Sequence, residues 1–156
     1  MLEINIPGFG FVRLGHLVSD FSGTLSFDGK IRPGARERLN RIAKIMKVHI
    51  LTADTFGTAQ DALRDIDCNV NVLTGDNQDV QKEEFVQKLD AESVVAIGNG
   101  NNDRKMLKAA RIGIAITEGE GCAVDAITAA NIYVRSTLDG LDLLLNTKRL
   151  MATLRF

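Results

Sequence analysis

Gly15-His-Leu-Val-Ser-Asp-Phe21, running on into Ser22-Gly23-Thr24, is the stretch that decides how this chain reads. It is a compact apolar segment that ends in polar residues. A strand of continuous apolar character is covered on both faces, which places it inside a parallel sheet flanked by helices. In such sheets the ligand crevice lies beyond the C-terminal ends of the strands, so Asp20 stands where chemistry is expected.

Reading outward, Leu2 to Ile6, the Pro7-Gly8 turn and Phe11 to Leu14 form an N-terminal β-hairpin. Downstream, Leu25 to Ile31 with its Asp28-Gly29 turn reads as a short hairpin beside the first strand. Ala35 to Met46 carries Leu39, Ile42, Ala43 and Met46 at helical spacing, with Pro33 placed to start it. Val48 to Leu51, Val70 to Leu73, Val94 to Ile97 and Ile112 to Ile116 are further short apolar strands, and Ile132 to Val134 is an edge strand. Ala59, Ala62, Leu63 and Ile66 mark a second helix. Others are expected over 79–89, 102–110, 120–129 and 136–153. In the last of these Leu138, Leu141, Leu144, Leu145, Leu150 and Met151 oppose Asp139, Asp142, Lys148 and Arg149, the pattern of a helix packed on a sheet. The alternation predicts an α/β fold: one three-layer, Rossmann-like sandwich over residues 1–156, with a mostly parallel central sheet of five or six strands.

Composition narrows the function classes. A net charge of −1 asks for neither nucleic acid nor an anionic membrane. With no Trp and one Tyr, a single-strand binder built on stacked aromatics is disfavoured. Cys68 and Cys122 lie far apart with no CxxC partner, so they read as small buried thiols in a reducing compartment. The N-terminus lacks the pattern of a signal peptide, and no apolar run approaches the roughly 20 residues of a membrane helix. A cytoplasmic protein with no membrane contact is expected.

The strand ends then carry one chemistry. Asp20 and Ser22 follow the first strand, Thr52-Ala53-Asp54 the second, Lys82 comes after the third, and Gly98-Asn-Gly-Asn-Asn-Asp103 closes the fourth. A carboxylate nucleophile, hydroxyl and amide donors, a neutralising lysine and oxygen ligands for Mg²⁺ are what phosphoryl transfer through an aspartyl phosphate requires.

Asp20-Phe-Ser-Gly-Thr-Leu25 resembles the first motif of the haloacid-dehalogenase superfamily. In most phosphatases of that superfamily the position of Ser22 is a second Asp, the general acid/base. In P-type ATPases it is a Thr. Leu51-Thr-Ala-Asp-Thr55 with Thr58-Ala59 is similar to the ATPase Thr-Gly-Asp motif. Lys82 with Phe85, Val86 and Leu89 resembles the lysine helix. Residues 98–103 resemble Gly-Asp-Gly-x-Asn-Asp, with Asn99 in place of the first Asp. Ala109 to Ala115 and Ala129 to Arg135 also match the ATPase pattern, so the likeness runs over 15–146. Thr74-Gly-Asp-Asn77 copies the ATPase motif more literally, but Thr52 ends the strand expected beside the first one and is preferred.

The resemblance implies a capless domain like a stand-alone ATPase phosphorylation domain, since neither 20–52 nor 52–82 has room for a cap. It implies Asp20, Ser22, Thr24 and Lys82 as catalytic residues, and Thr52, Ala53, Lys82 and Asn102 as phosphate-binding. The metal set it implies is Asp20, the Ser22 carbonyl, Asn99 and Asp103 around Mg²⁺. The partner is a phosphorylated substrate, small or macromolecular, with a second copy of the chain as another means of covering the open site. Ser22 cannot shuttle a proton as a carboxylate does, a function typically worth about 10²–10⁴-fold. Asn99 is a weaker Mg²⁺ ligand than Asp. Both changes leave open a non-catalytic regulatory or scaffold domain that binds Mg²⁺ and phosphate. A dinucleotide-binding Rossmann domain is weaker, because no GxGxxG follows the first strand. His16 and His49 read as structural, and the basic residues from Arg32 to Lys47 as a solvated face.

Overall fold

The computed structural model describes residues 1–54 and 57–156, so Thr55 of the second motif lies outside the described residues. In chain order the elements are β1 (Leu2–Ile6), β2 (Gly10–Leu14), β3 (His16–Asp20), β4 (Ser26–Phe27), β5 (Lys30–Ile31), α1 (Ala35–Ala43), β6 (Lys47–Thr52), α2 (Thr58–Ala62), β7 (Asn69–Val72) and α3 (Gln78–Lys88). Then follow β8 (Val94–Gly98), α4 (Arg104–Ala109), β9 (Ile112–Ile116), α5 (Val124–Ala129), β10 (Ile132–Val134), α6 (Thr137–Leu145) and α7 (Thr147–Leu154).

Six strands form one sheet in the order β10-β9-β8-β3-β6-β7, and every neighbouring pair is parallel. The adjacent apolar residues of β3 explain this. Leu17 packs into the core on one face with Ile50, Ile97, Leu39 and Leu141. Val18 packs into the core on the other with Leu51, Val86, Ala96 and Met106. Helices α1 and α6 therefore cover one face, and α3, α4 and α5 the other. Each fully buried Leu contributes about 1.5–3 kcal/mol, so the sheet is held from both sides. The β1–β2 hairpin is a separate antiparallel pair whose Ile4, Ile6, Val12 and Leu14 extend the first core.

The chain builds from β3 through β6 to β7, then returns to the other side of β3 to lay down β8, β9 and β10. The direction reverses between β3 and β8, and a crevice opens at that point beyond the strands' C-terminal ends. Between β3 and β6 the chain adds only the β4–β5 flap and α1, and no cap domain is inserted.

Three helix expectations are corrected. Residues 136–153 form two helices, because Asn146 leaves helical geometry (φ −132°, ψ 84°) and both ends α6 and starts α7. The helix expected from 102 begins as a 3₁₀ turn over Asn101–Asp103, because the Asp103 side chain is turned back onto the amides of Asn99 and Gly100. The helix expected from 120 starts only at Val124, since Glu118 to Gly121 is a tight turn closed by Gly121 N donating to the Glu118 carbonyl (3.0 Å). Among the described residues no helix is long and apolar enough to cross a membrane.

Candidate active site

The ends of β3, β6 and β8, with α3 and the loop after β9, meet at one crevice, of about 260 Å³, lined by Asp20, Ser22, Thr52, Ala53, Gln78, Lys82, Asn99, Gly100, Asn102 and Glu120. Asp20 stands at the end of β3, 7% exposed. From α3, on the second face of the sheet, Lys82 reaches in and is 1% exposed. Its Nζ donates to Asp20 Oδ1 (2.8 Å) and to Asp103 Oδ1 (2.6 Å). Lys88, the other lysine of that helix, is exposed.

Asp103 lies under the crevice and is completely buried. Its Oδ2 accepts from the amides of Asn99 and Gly100 (both 2.9 Å), which fixes the turn after β8. Gly98 makes that possible: a Cβ there would stand 2.5 Å from the Asp103 carboxyl carbon. Both Asp103 oxygens are thus engaged with Lys82 and the loop, and the residue forms none of the crevice wall.

Thr24 is wholly buried beside Asp20. Its Oγ1 lies 3.2 Å from Asp20 Oδ2 and 3.1 Å from Asn99 Oδ1. The hydroxyl has one proton, so it donates to one of these acceptors at a time. Its main-chain carbonyl accepts from Thr137 Oγ1, tying the nucleophile loop to the start of α6. Thr52, 3% exposed, closes the opposite wall, and its Oγ1 accepts from the Asp54 amide (3.1 Å). Asp54 in turn accepts from Ala59 N (2.5 Å) at the start of α2. Ser22, Ala53 and Asn102 stand exposed at the mouth. Thr74, Asp76 and Asn77 form the loop that leads into α3 and take no part in the crevice lining.

The electrostatics are set by three buried charges. Burial is the main force pushing the Asp20 carboxyl up, to about 7, and the Asp103 charge adds to it; Lys82 and Thr24 pull the other way. Burial alone would lower Lys82, but the two carboxylates outweigh it and hold the ammonium above its ordinary value. With two carboxylates and one ammonium the pocket carries a surplus of negative charge, which a cation would neutralise. Outside the site, His49 is lowered to about 4 by burial, His16 and Lys47. Its Nε2 is 3.1 Å from His16 Nδ1, a structural pair remote from the crevice lining.

Two lining residues were not singled out from sequence. Gln78 sits one helical turn before Lys82, and i, i+4 spacing would have found it. Glu120 belongs to the loop after β9, a strand end that the crevice rule also covers.

The profile of the family described as haloacid dehalogenase-like hydrolase matches residues 77–137, from the loop before α3 into α6. The chain is 44% identical over 73 residues to an uncharacterised protein of Methanocaldococcus jannaschii, covering 47% of this chain and 78% of that protein. It is 32% identical over 125 residues, 78% of its length, to a probable copper-transporting ATPase of Arabidopsis thaliana, and spans 12% of that ATPase. Its fold superposes with a TM-score of 0.71 on 3-deoxy-D-manno-octulosonate 8-phosphate phosphatase from Moraxella catarrhalis, solved with magnesium and phosphate, at 14% identity over 91% of this chain and 94% of that one. With its capless parallel sheet and the order of its strand-end motifs, the chain belongs to the haloacid dehalogenase-like hydrolase superfamily and is related to P-type ATPases.

Proposed function

We propose that this chain is a Mg²⁺-dependent phosphohydrolase that works through a phosphoaspartate on Asp20. The observation that carries the reading is the placement of the Asp20 carboxylate between Lys82 Nζ (2.8 Å) and Thr24 Oγ1 (3.2 Å) in a crevice that also presents Thr52, Ala53 and Asn102. An Asp20 oxygen attacks phosphorus, and the ester bond to the leaving oxygen breaks. The leaving group takes its proton from solvent, because Ser22 offers no carboxylic acid. Water then attacks the phosphoaspartate, releasing inorganic phosphate and regenerating the carboxylate. Lys82, Thr52 and the backbone amides of the loop hold the equatorial oxygens, where fixed donors act with the least reorganisation.

The donor set fits a hard cation. Asp20, the Ser22 carbonyl and Asn99 offer oxygen, the donor atom that a hard dication takes. Bound there, Mg²⁺ supplies charge neutralisation to phosphate and carboxylate. Asp103 serves by holding Lys82 and the loop that carries Asn99.

The capless crevice suits a phosphate carried on a macromolecule, or a small ester enclosed by a second copy of this single-domain chain, in the cytoplasm. A panel of phosphate esters assayed with Mg²⁺, parent against Asp20→Asn, tests the reading: turnover is expected for the parent alone, and equal turnover by both would reject it. One observation favours a non-catalytic Mg²⁺ and phosphate binder instead. The crevice lacks a carboxylate at 22, and Asn99 spends its amide on the Gly121 carbonyl (3.2 Å). Phosphate binding without turnover of any ester would select that alternative.

A further inference from the structure

The carboxylate that position 99 lacks stands a few ångströms away on another loop. Asn99 holds the segment after β9 twice: its carbonyl accepts from Ala123 N (2.8 Å), and its Nδ2 donates to the Gly121 carbonyl (3.2 Å). A carboxylate at 99 has no proton for a carbonyl, so Asp there would break the second bond and set two oxygens against each other. Asn99 is therefore suited to anchoring this segment in a way that Asp is not.

The segment is braced from its other side too. Glu118 accepts from Arg32 and from Thr137 N (2.8 Å), and the Arg32 guanidinium lies 4.6 Å from the centre of the Phe27 ring in the flap. Gly119, at φ +44°, packs so closely on Phe27 that a Cβ would overlap the ring. The turn so fixed projects Glu120 across the crevice. Its Oε2 is 2.2 Å from the point where a Cβ on Gly23 would stand, and the same point is 2.9 Å from Asn99 Nδ2. Gly23 has φ +77° and leaves its backbone bare beneath the carboxylate, next to the Ser22 carbonyl. Glu118 is committed to structure, whereas Glu120 is exposed and has no hydrogen bond or ion pair among the described residues.

We propose that Glu120 supplies the anionic ligand for the divalent cation that Asn99 cannot, Asn99 serving as the anchor of the loop that carries it. The inference rests on reading the crevice as a Mg²⁺ site. The anionic oxygen then comes from the loop after β9 and not from the end of β8, which gives the site the charge that a hard dication selects.

Titration of Mn²⁺ into the full chain, followed by the electron paramagnetic resonance of free Mn²⁺ and without any phosphate, tests this. Glu120→Gln should weaken Mn²⁺ binding by about tenfold or more, with no change of melting temperature in chelator. Adding Asn99→Asp to that variant should return much of the lost affinity, because the carboxylate is restored at its other position. A Glu120→Gln affinity within twofold of the parent overturns the proposal. An unchanged affinity with slower phosphoenzyme breakdown also overturns it, and makes Glu120 the proton-transfer group instead. Turnover that depends on Asp20 while Mn²⁺ affinity ignores Glu120 rejects this inference and keeps the function. Mn²⁺ binding that depends on Glu120 in a protein without turnover does the reverse.

Discussion

Lys82 and Asp20 meet in a 2.8 Å ion pair from opposite ends of a 62-residue separation, with Lys82 almost wholly removed from solvent. A buried pair of this kind is weak evidence for stability, but Asp20 without Lys82 is a buried charge left uncompensated. Lys82 also compensates Asp103. Lys82→Met should therefore destabilise the metal-free protein by about 3–5 kcal/mol at pH 8, measured by urea denaturation. A loss below about 1 kcal/mol would mean that water or rearrangement replaces the ammonium.

Asp20 makes stability depend on pH in an identifiable direction. Its carboxyl is raised to about 7 in the folded protein from an ordinary value near 3.8. The folded state holds the proton that the unfolded state has released, so this contribution is complete below about pH 4 and is lost as pH rises through 7. Asp79 and Glu118 are lowered and act in the opposite sense, losing stability as pH falls. The comparison to make is thus parent against Asp20→Asn in chelator. The variant should gain on the parent between pH 5 and pH 8, and melt higher at pH 8. Parallel melting curves across that range would show that Asp20 is not raised.

The fold was legible because β3, β6, β8 and β9 are apolar on both faces, and only a parallel sheet between helix layers buries such strands. That Asp20, Thr52 and Asn99 line the crevice was legible because a strand end fixes each of them, and Lys82 because it lies on the helix that follows β7. Gln78 of α3 apart, what escaped was set by loops. Glu120 sits on a turn whose shape depends on Arg32, Phe27 and Thr137, residues distant in sequence. The complete burial of Asp103 beneath Gly98 depends on a side chain turning back on its own loop, which spacing does not encode.

Ser22 stands exposed at the crevice mouth, and in the proposed mechanism a proton-transferring group at this position would serve the attacking water. Ser22→Asp should speed breakdown of the phosphoenzyme, up to the lower end of the about 10²–10⁴-fold that general acid/base groups supply. Single-turnover chase of the acid-stable phosphoprotein reads this directly. Unchanged or slower breakdown would place the limit elsewhere.

Helix α6 bears on the site through Thr137, and on stability through Leu141 and Leu144, which are buried against the sheet. Arg38 clamps it to α1 through Asp142 at 2.7 and 3.1 Å. Leu144→Ala should cost about 2–5 kcal/mol, and truncation before Leu138 should cause aggregation or a sharp fall in melting temperature. A truncated chain as stable as the parent would show that the sheet does not need this cover.

The formation of a phosphoaspartate is most directly tested by trapping it. The parent chain is mixed with Mg²⁺ and a reactive phosphate donor such as an acyl phosphate, quenched in acid and mapped by mass spectrometry. The expected result is one added phosphoryl group on the peptide that contains Asp20, lost on treatment with hydroxylamine and absent from Asp20→Asn. Steady release of phosphate with no label on Asp20, or a label that persists in Asp20→Asn, would contradict the mechanism.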